Sequence, residues 1–322
     1  MSPGAGRRGA IAAAAAILVA GSAAALAPAS GGPRTARAAA PPPVEAGCPV
    51  FPASNPINRD ISRAPVDPRS AAYIASIGLG GHLHPDFGVN PAYGIPYSVV
   101  GPAQRRVPVR FTEYGEESDR GPYPVPPRAP VEGAGEEGDR HVLVLQSGTC
   151  RLYELYSASR SGAGWDAGSG AVFNLRSNAL RHEGWTSADA AGLPILPLLV
   201  RWHEVHAGRI DHALRVTVQR TQRGYIHPAT HFASGSSDPS LPPMGLRLRL
   251  KASYSLAGFH GQALVIMRAL KHYGLIVADN GSSWYITGAP DPRWNESQLQ
   301  ELKSVPGAAF EVVQSGAIRH VG

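Results

Sequence analysis

The chain has 322 residues, with 37 Gly, 30 Pro and two Cys, a length that fits one large domain or two small ones. Gly and Pro together make up about a fifth of the residues, below the ~25–30% typical of low-complexity disorder, so a packed core is expected. Two cysteines are too few for a Cys-based zinc site. No apolar run of transmembrane length follows residue 30, so we expect no stable membrane insertion of the mature chain.

The formal net charge of +6 belongs mostly to the N-terminal region. Residues 1–40 contain four arginines and no acidic residue, and removing those four from the 30 Lys+Arg leaves a balance of +2 against 24 Asp+Glu. Acidic residues concentrate over 113–139 and arginines over 201–251. Arginines that alternate along predicted strands are more typical of a solvent-exposed sheet face than of a surface that binds nucleic-acid phosphates. Nucleic acid is therefore not the expected partner.

Residues 1–40 are typical of an export signal. Arg7 and Arg8 precede an Ala-rich apolar stretch over residues 9–28, and small residues over 36–40 offer cleavage sites. The paired arginines are compatible with either twin-arginine or ordinary secretion. We therefore expect a secreted, extracellular protein.

An arm rich in Pro, Asn and Ser is predicted over residues 41–69. It contains Cys48, and the second cysteine is Cys150. In an oxidising compartment the two are expected to form one disulfide that ties the arm to the start of a strand. A catalytic cysteine is the weaker alternative.

The region from 70 to 135 is expected to be rich in loops. A short helix is predicted at Ser70–Ile77, where Gly78 ends it, and strands are predicted at Tyr97–Val100 and Val107–Phe111. Four prolines between residues 122 and 127 interrupt regular structure there.

Beyond residue 140 short apolar or alternating runs predict a series of β-strands. They are His141–Gln146, Cys150–Tyr156, Ala171–Leu175, Leu198–His206, His212–Gln219, Leu246–Ala252, Leu275–Asp279, Trp284–Thr287 and Phe310–Val313. Asn280-Gly281 between two of these runs predicts a hairpin, because both residues tolerate positive φ.

Helices are expected to be few. Apolar spacing predicts one at Gln262–Tyr273, and Asn295 with Gln298 predicts a capping box for another that ends near Lys303. Thr186–Ala191 is interpreted as one further helical turn. With no internal repeat, these elements predict a mainly β domain over 70–315, a two-sheet, jelly-roll-like sandwich with a few short peripheral helices, followed by a tail over 316–322.

The predicted strand at Leu198–His206 carries the clearest chemical signal. A period of two would place Trp202 and Glu204 on one face. An indole can stack on a sugar ring while a carboxylate handles a hydroxyl or glycosidic oxygen. The competing interpretation is that Glu204 pairs with a neighbouring arginine while Trp202 is core.

Glycosidases usually need two carboxyl groups. Asp189, Asp279 and Glu154 could partner Glu204, although each also has a structural role open to it: helix capping, turn formation or a cross-strand ion pair. Trp284 is expected to provide a second stacking surface, and His212 and Glu154 are assigned to substrate binding. No GxSxG, HExxH, Walker or Rossmann motif is present, and no cofactor is expected.

A metal site is the third chemical interpretation. His82, His84 and Asp86 have H-x-H-x-D spacing, which in an extended chain places three ligands on one side and suits zinc or copper. Twelve histidines make such spacings common by chance, and Pro85 interrupts the strand.

The chain resembles a family of secreted, mainly actinobacterial proteins of unassigned function. The resemblance extends over about 58–314 and is carried by runs over 168–218, 225–254 and 269–294. It implies an extracellular, single-domain protein and transfers no activity. The positions that match the family pattern are His84-Pro85-Asp86-Phe87-Gly88, Thr186-Ser187-Ala188-Asp189, Glu204, His212 and Asp279-Asn280-Gly281. His82 and His203 depart from it, which weakens the metal interpretation.

The leading hypothesis is a secreted protein that acts on extracellular polysaccharide as a carboxylate-dependent glycoside hydrolase. In it Glu204 forms an acid/base pair with Asp189 or Asp279, and Trp202 and Trp284 stack on sugars. One alternative is a non-catalytic glycan- or cell-wall-binding protein. The other is a metal-dependent hydrolase that uses His82, His84 and Asp86. An enzyme predicts two carboxyl groups in one aromatic-lined cleft with one pKa raised. A binding module predicts a flat aromatic face and ion-paired acids.

Overall fold

Residues 41–135 and 138–321 are described in the computed structural model of the chain, and the predicted export signal over 1–40 lies outside them. The chain is mostly β, with 25% strand against 18% helix, in several sheets with a few short helices. The mainly β prediction is confirmed. Within the described ranges no helix is both long and apolar enough to cross a membrane.

The strands and helices of the described residues are short. The strands are β1 (Val44–Glu45), β2 (Cys48–Pro49), β3 (His84–Asp86), β4 (Tyr97–Val100), β5 (Val109–Phe111), β6 (Val142–Gln146), β7 (Arg151–Tyr156), β8 (Ser159–Ser161), β9 (Gly164–Ala167), β10 (Ser169–Asn174), β11 (Leu214–Val218), β12 (Arg247–Leu250), β13 (Leu275–Asn280), β14 (Tyr285–Thr287) and β15 (Phe310–Val312). The α-helices are α1 (Ser70–Ile77), α2 (Trp202–His206), α3 (Gly261–His272) and α4 (Glu296–Glu301).

Two larger sheets build the scaffold. One has six strands in the order β15-β12-β13-β11-β14-β3, and the other has four in the order β10-β7-β6-β4. Apolar residues of both sheets enter one continuous core, to which Leu145 of β6 and Val216 of β11 belong. Helix α3 adds Ile266 and Leu270 to the same core, as its amphipathic pattern predicts.

The four-stranded sheet is covered on both faces. Leu143 of β6 faces the main core, while the neighbouring Val144 faces a second core that it shares with Trp165 of β9. Strand β9 belongs to a separate three-stranded sheet, in the order β5-β9-β8. Because both faces are buried, β6 is a continuous apolar run and not an alternating one.

The jelly-roll arrangement is not confirmed. Four strand pairs are parallel, namely β11 with β13, β14 with β3, β4 with β6, and β5 with β9. A jelly roll is built from antiparallel strands. The sheets here are mixed, and α3 lies between two strands of the same sheet along the chain.

Several local predictions are confirmed. Helix α1 has the predicted bounds, and α3 is offset by one residue. The Asn295 side chain caps α4 by accepting a hydrogen bond from the backbone N–H of Gln298 at 3.1 Å. Cys48 and Cys150 form the predicted disulfide, which joins β2 to the residue before β7.

The predicted strand at Leu198–His206 is wrong. Its second half is α2, and Val200 makes only an isolated bridge to Gly288. In a strand, alternation would place Arg201 and Glu204 on opposite faces. On a helix, residues three positions apart lie next to each other. The helical conformation therefore brings these two side chains into an ion pair at 2.7 Å.

The hairpin predicted at Asn280-Gly281 is also wrong. Strands β13 and β14 do not pair with each other, because both pair with β11, which lies between them. The chain turns as expected but then crosses the end of β11, where Gly281 N donates to Val218 O at 3.1 Å and Trp284 N donates to Thr217 O at 3.2 Å.

The helical turn predicted at Thr186–Ala191 is wrong as well, since this segment contains only bends and a turn. The Ser187 hydroxyl donates to Leu193 O at 2.6 Å, and the N–H of Asp189 donates to the Ser187 hydroxyl at 2.9 Å. A serine that bonds nearby backbone in this way competes with helix formation. The segment forms one wall of the candidate site.

Candidate functional site

A cleft of about 180 Å³ lies where several chain segments meet. The segment that enters β6 contributes Asp139 and His141, β7 ends there at Tyr156, and the last two residues of β13 contribute Asp279 and Asn280. Asp189 comes from the bent segment after Thr186. Two residues that the sequence analysis proposed as catalytic, Asp189 and Asp279, are thus brought together.

Asp279 is the carboxyl group with the most unusual surroundings in this cleft. Its side chain is 22% exposed, and it lies 3.5 Å from Nη2 of Arg215 through Oδ2. Oδ1 accepts a hydrogen bond from the N–H of Asn280 at 2.7 Å. Burial and the neighbouring Asp189 carboxylate raise the pKa of Asp279 to about 7, against the opposing effect of Arg215. A large fraction of this carboxyl is therefore protonated at neutral pH.

Asp189 is held as an ion pair beneath Asp279. Its two oxygens accept from Nε and Nη2 of Arg215 at 3.1 and 2.8 Å, which is bidentate geometry. The Asp189 side chain is 0% exposed and that of Arg215 is 5% exposed. Asp189 is thus out of reach of a ligand, and we assign it to positioning Arg215.

Arg215 connects the cleft to the six-stranded sheet. It belongs to β11, and its Nη1 donates to the Thr287 hydroxyl of β14 at 2.7 Å. Burial alone would lower the pKa of Arg215, but the Asp189 carboxylate outweighs it and the pKa is raised. The guanidinium is therefore a permanent positive charge, fixed beside Asp279.

His141 forms part of the cleft wall as an imidazolium. Nδ1 lies 2.5 Å from Oε2 of Glu132, and Nε2 lies 2.8 Å from the carbonyl oxygen of Ala188. Both partners are acceptors, so both ring nitrogens carry protons. Burial alone would lower the pKa of His141, but Glu132 outweighs it and raises the pKa to about 9. The ring thereby ties the Glu132 segment to the wall that carries Asp189.

Glu154 lies close to the cleft but does not line it. Its side chain is fully buried, and its oxygens accept from the N–H groups of Ile195 and Leu196 at 2.9–3.0 Å. Burial raises the pKa of Glu154 to about 7, although these backbone hydrogen bonds lower it. Glu154 therefore holds the chain at residues 195–196 and cannot contact a ligand.

Glu204 and His212 belong to a different buried cluster. Oε1 of Glu204 accepts from Arg201 at 2.7 Å, and Oε2 lies 3.1 Å from Nε2 of His212. Arg201 also lies 3.3 Å from Glu45 of the arm. Burial alone would raise the pKa of Glu204, but Arg201 and His212 lower it to about 2. Arg201 is thus paired with both carboxylates, and none of these groups lines the cleft.

Neither tryptophan proposed for sugar stacking has a free ring face. The Trp202 ring lies parallel to His206 at 4.4 Å, and the guanidinium of Arg293 lies 3.7 Å from its centroid. Trp284 is 0% exposed and stacks on Phe310. Both side chains pack the structure.

The residues proposed as metal ligands do not converge. His82 is bridged to Pro306 through the backbone, while the His84 ring stacks on Tyr285 at 4.1 Å. Asp86 stands at the far end of β3. In the part of the chain that the structure describes, no three His, Cys, Asp or Glu side chains form a group able to hold a metal ion.

The sequence analysis did not single out Asp139, His141, Glu132, Tyr156 or Arg215. Arg215 could have been identified from the sequence, because it is a charged residue inside an apolar predicted strand. Such a residue is rarely buried without an oppositely charged partner. For Asp139 and His141, the sequence feature that could have indicated a functional role is their position in the loop directly before a buried strand. Loop residues next to such strands often carry function. Asp139 and Glu132 were instead counted only as part of an acidic stretch.

Comparisons of the chain with protein-family models, with curated proteins and with solved structures gave no match. The family resemblance therefore stays a prediction, and the functional assignment depends on the geometry of the cleft.

Proposed function

We propose that the protein is a secreted glycoside hydrolase that acts on extracellular polysaccharide through the cleft around Asp279. The observation that carries the proposal is this carboxyl group, which is reachable from the cleft and has its pKa raised to about 7. A carboxyl that still holds its proton near neutral pH can serve as the general acid that protonates a glycosidic oxygen.

Asp139 replaces Glu204 as the second carboxyl group in this proposal. It lines the same cleft, is exposed, and makes no side-chain hydrogen bond or ion pair with the described residues. A carboxylate at that position can attack the anomeric carbon or activate a water molecule. Arg215 and His141 are themselves held in place by their ion pairs with Asp189 and Glu132.

Aromatic side chains at the cleft support a carbohydrate ligand. Tyr114 is 45% exposed, and Tyr156 lines the same cleft with its ring centroid 5.8 Å from that of His141. Phenol rings present an apolar face to a sugar and a hydroxyl to its polar edge. The covered rings of Trp202 and Trp284 disfavour the alternative of a flat aromatic binding face.

The predicted export signal and the disulfide support an extracellular location. A bond between Cys48 and Cys150 is stable where the environment is oxidising. Polysaccharide outside the cell is the substrate class that fits this location and the chemistry of the cleft.

The test is release of reducing sugar by the purified mature protein from a panel of plant, fungal and bacterial polysaccharides. On the substrate that the wild type cleaves, Asp279→Asn is expected to lower kcat by about 10²–10⁴-fold, because the amide cannot donate the acid proton. Asp139→Asn is expected to lower it by a similar factor. Added chelator is expected to leave the rate unchanged.

Two further variants serve as controls. Asp60→Asn changes an exposed carboxylate beside α3 and is expected to keep the wild-type rate. Glu204→Gln is expected to lower stability, by about 3–5 kcal/mol for one partner of a buried charge network, but to keep turnover per folded molecule. Loss of activity in Glu204→Gln with activity retained in Asp279→Asn would contradict the proposal. Retention on insoluble glycan without release would point to a binding protein instead.

A further inference from the structure

A groove of about 440 Å³ on the surface is lined by three arginines and shares no lining residue with the cleft. Arg106 precedes β5, Arg120 follows the turn after β5, and Arg151 begins β7. We call it the arginine groove.

The positive charges of the arginine groove have no negative partners among the described residues. Arg120 and Arg151 are exposed, and their side chains make no hydrogen bond or ion pair there. Arg106 donates only to neutral acceptors, which are the Pro122 carbonyl at 3.0 Å, Gln146 at 3.4 Å and the Tyr153 hydroxyl at 2.9 Å. This contrasts with Arg215 and Arg201, whose charges are neutralised inside the fold.

Among the residues that line the groove, the one carboxylate already has partners within the protein. Asp119 forms an ion pair with Arg181 and accepts a hydrogen bond from the N–H of Val172 at 2.9 Å. It cannot also neutralise Arg120 or Arg151. Three guanidinium groups therefore line the groove beside one carboxylate that is already paired, and this excess of positive charge favours an anionic ligand. Arg120 also borders a depression lined by Glu113, Glu116 and Glu117, with which it forms no ion pair.

The arginine groove is extended, which suits a chain-like ligand. Asp119, Arg151 and Val172 also line a neighbouring depression of about 200 Å³ that continues to Trp185. Guanidinium groups spaced along such a path can each pair bidentately with a carboxylate or a phosphate. A single small anion would use only one of them.

We propose that the arginine groove binds an anionic polysaccharide, whose carboxylate or phosphate groups pair with Arg106, Arg120 and Arg151. The geometry disfavours single-stranded nucleic acid, because such ligands need exposed aromatic rings for base stacking. The two tyrosines that line the groove, Tyr123 and Tyr153, are 0% and 4% exposed. Trp185, at the end of the neighbouring depression, is half-buried, and the guanidinium of Arg181 lies 5.8 Å from its ring centroid. This assignment does not depend on catalysis in the cleft.

The test is equilibrium binding of the full-length mature protein to polygalacturonate and to poly(glycerol phosphate) at ~20 mM and ~150 mM salt. A neutral glucan and a single-stranded DNA of equal charge are the comparison ligands. The wild type is expected to bind at least one of the two anionic polymers, with affinity that falls as salt rises. Preference between them identifies the carboxylate or the phosphate as the recognised group.

A charge-matched pair of variants separates the groove from overall charge. Arg120→Gln with Arg151→Gln is expected to weaken binding by about tenfold. Arg59→Gln with Arg63→Gln, which removes two exposed arginines of the N-terminal arm, is expected to change it less than about twofold.

Three results would overturn the assignment. They are equal loss in the two double variants, binding of DNA as tight as that of the anionic polysaccharide, and no salt-dependent binding of either anionic polymer. Sugar release from neutral substrate by the groove variant is expected to equal that of the wild type. Failure of this proposal and failure of the cleft proposal are therefore distinguishable.

Discussion

Asp279 in the cleft and Glu154 beside it each have a pKa that is raised to about 7, mainly by burial. Accessibility distinguishes their roles. Both oxygens of Glu154 are used by backbone N–H groups, and its side chain is fully buried. Asp279 is 22% exposed, so its proton can reach a ligand. A raised pKa becomes chemically useful only where the group can contact substrate.

The His141 imidazolium gives stability a pH dependence of definite sign. Its folded pKa of about 9 lies above the unfolded value of 6.5. The contribution is therefore fully present below about pH 6.5 and is lost as the pH rises through 9. The shift corresponds to about 3 kcal/mol. We expect urea unfolding to show a falling free energy of unfolding between pH 7 and 10.

His141→Gln is expected to remove most of this fall, because glutamine does not titrate. His272→Gln, at an exposed site, is expected to keep the wild-type pH dependence. A pH dependence that is the same in His141→Gln and the wild type would contradict the assignment of a charged, ion-paired His141.

Among the helices and strands, the features that the sequence predicted correctly are those that depend on residues close together in the chain. The bounds of α1, the asparagine cap of α4 and most strands after residue 140 follow from spacing and capping chemistry. The helix within Leu198–His206 was not predicted. It has only five residues, and so short a run of side chains does not distinguish a helical period of 3.6 residues from a strand period of two. An Asn-Gly pair predicts a turn but not which strand lies beside it, so the insertion of β11 between β13 and β14 was not foreseeable.

The disulfide gives the N-terminal arm its main covalent restraint. It closes a separation of 102 residues and joins β2 to the residue before β7. Replacing both cysteines by serine is expected to lower the free energy of unfolding by up to about 4–5 kcal/mol in the chain-entropy picture. Urea titration with and without reductant measures this loss. Identical unfolding midpoints for the double variant and the oxidised wild type would contradict it.

At the scale of the whole molecule, the candidate site is assembled by long-range topology. Asp139 lies just before β6 of the four-stranded sheet, while Asp279 is the second-last residue of β13 in the six-stranded sheet. The sequence identified Asp189 and Asp279 as chemically useful residue types, but it gave no distances. It could not show that Glu204 pairs with Arg201 and contacts His212, because these contacts depend on how α2 packs.

Charge is also separated across the whole fold. The cleft presents exposed or reachable carboxyl groups, whereas the arginine groove presents guanidinium groups without counter-charges among the described residues. The formal net charge of residues 41–322 is only +2, so the net charge alone does not reveal that acidic and basic surfaces are separated. Net charge therefore does not describe what either surface can bind.

The most direct test of the central claim is the protonation of Asp279 itself. Carbon-13 NMR of protein labelled at the aspartate carboxyl carbon, compared with Asp279→Asn, assigns this resonance and follows it from pH 3 to 9. We expect an apparent pKa of about 7 for the resonance that the substitution removes. A resonance that titrates near the ordinary aspartate value of about 4 would contradict the assignment of Asp279 as an acid at neutral pH.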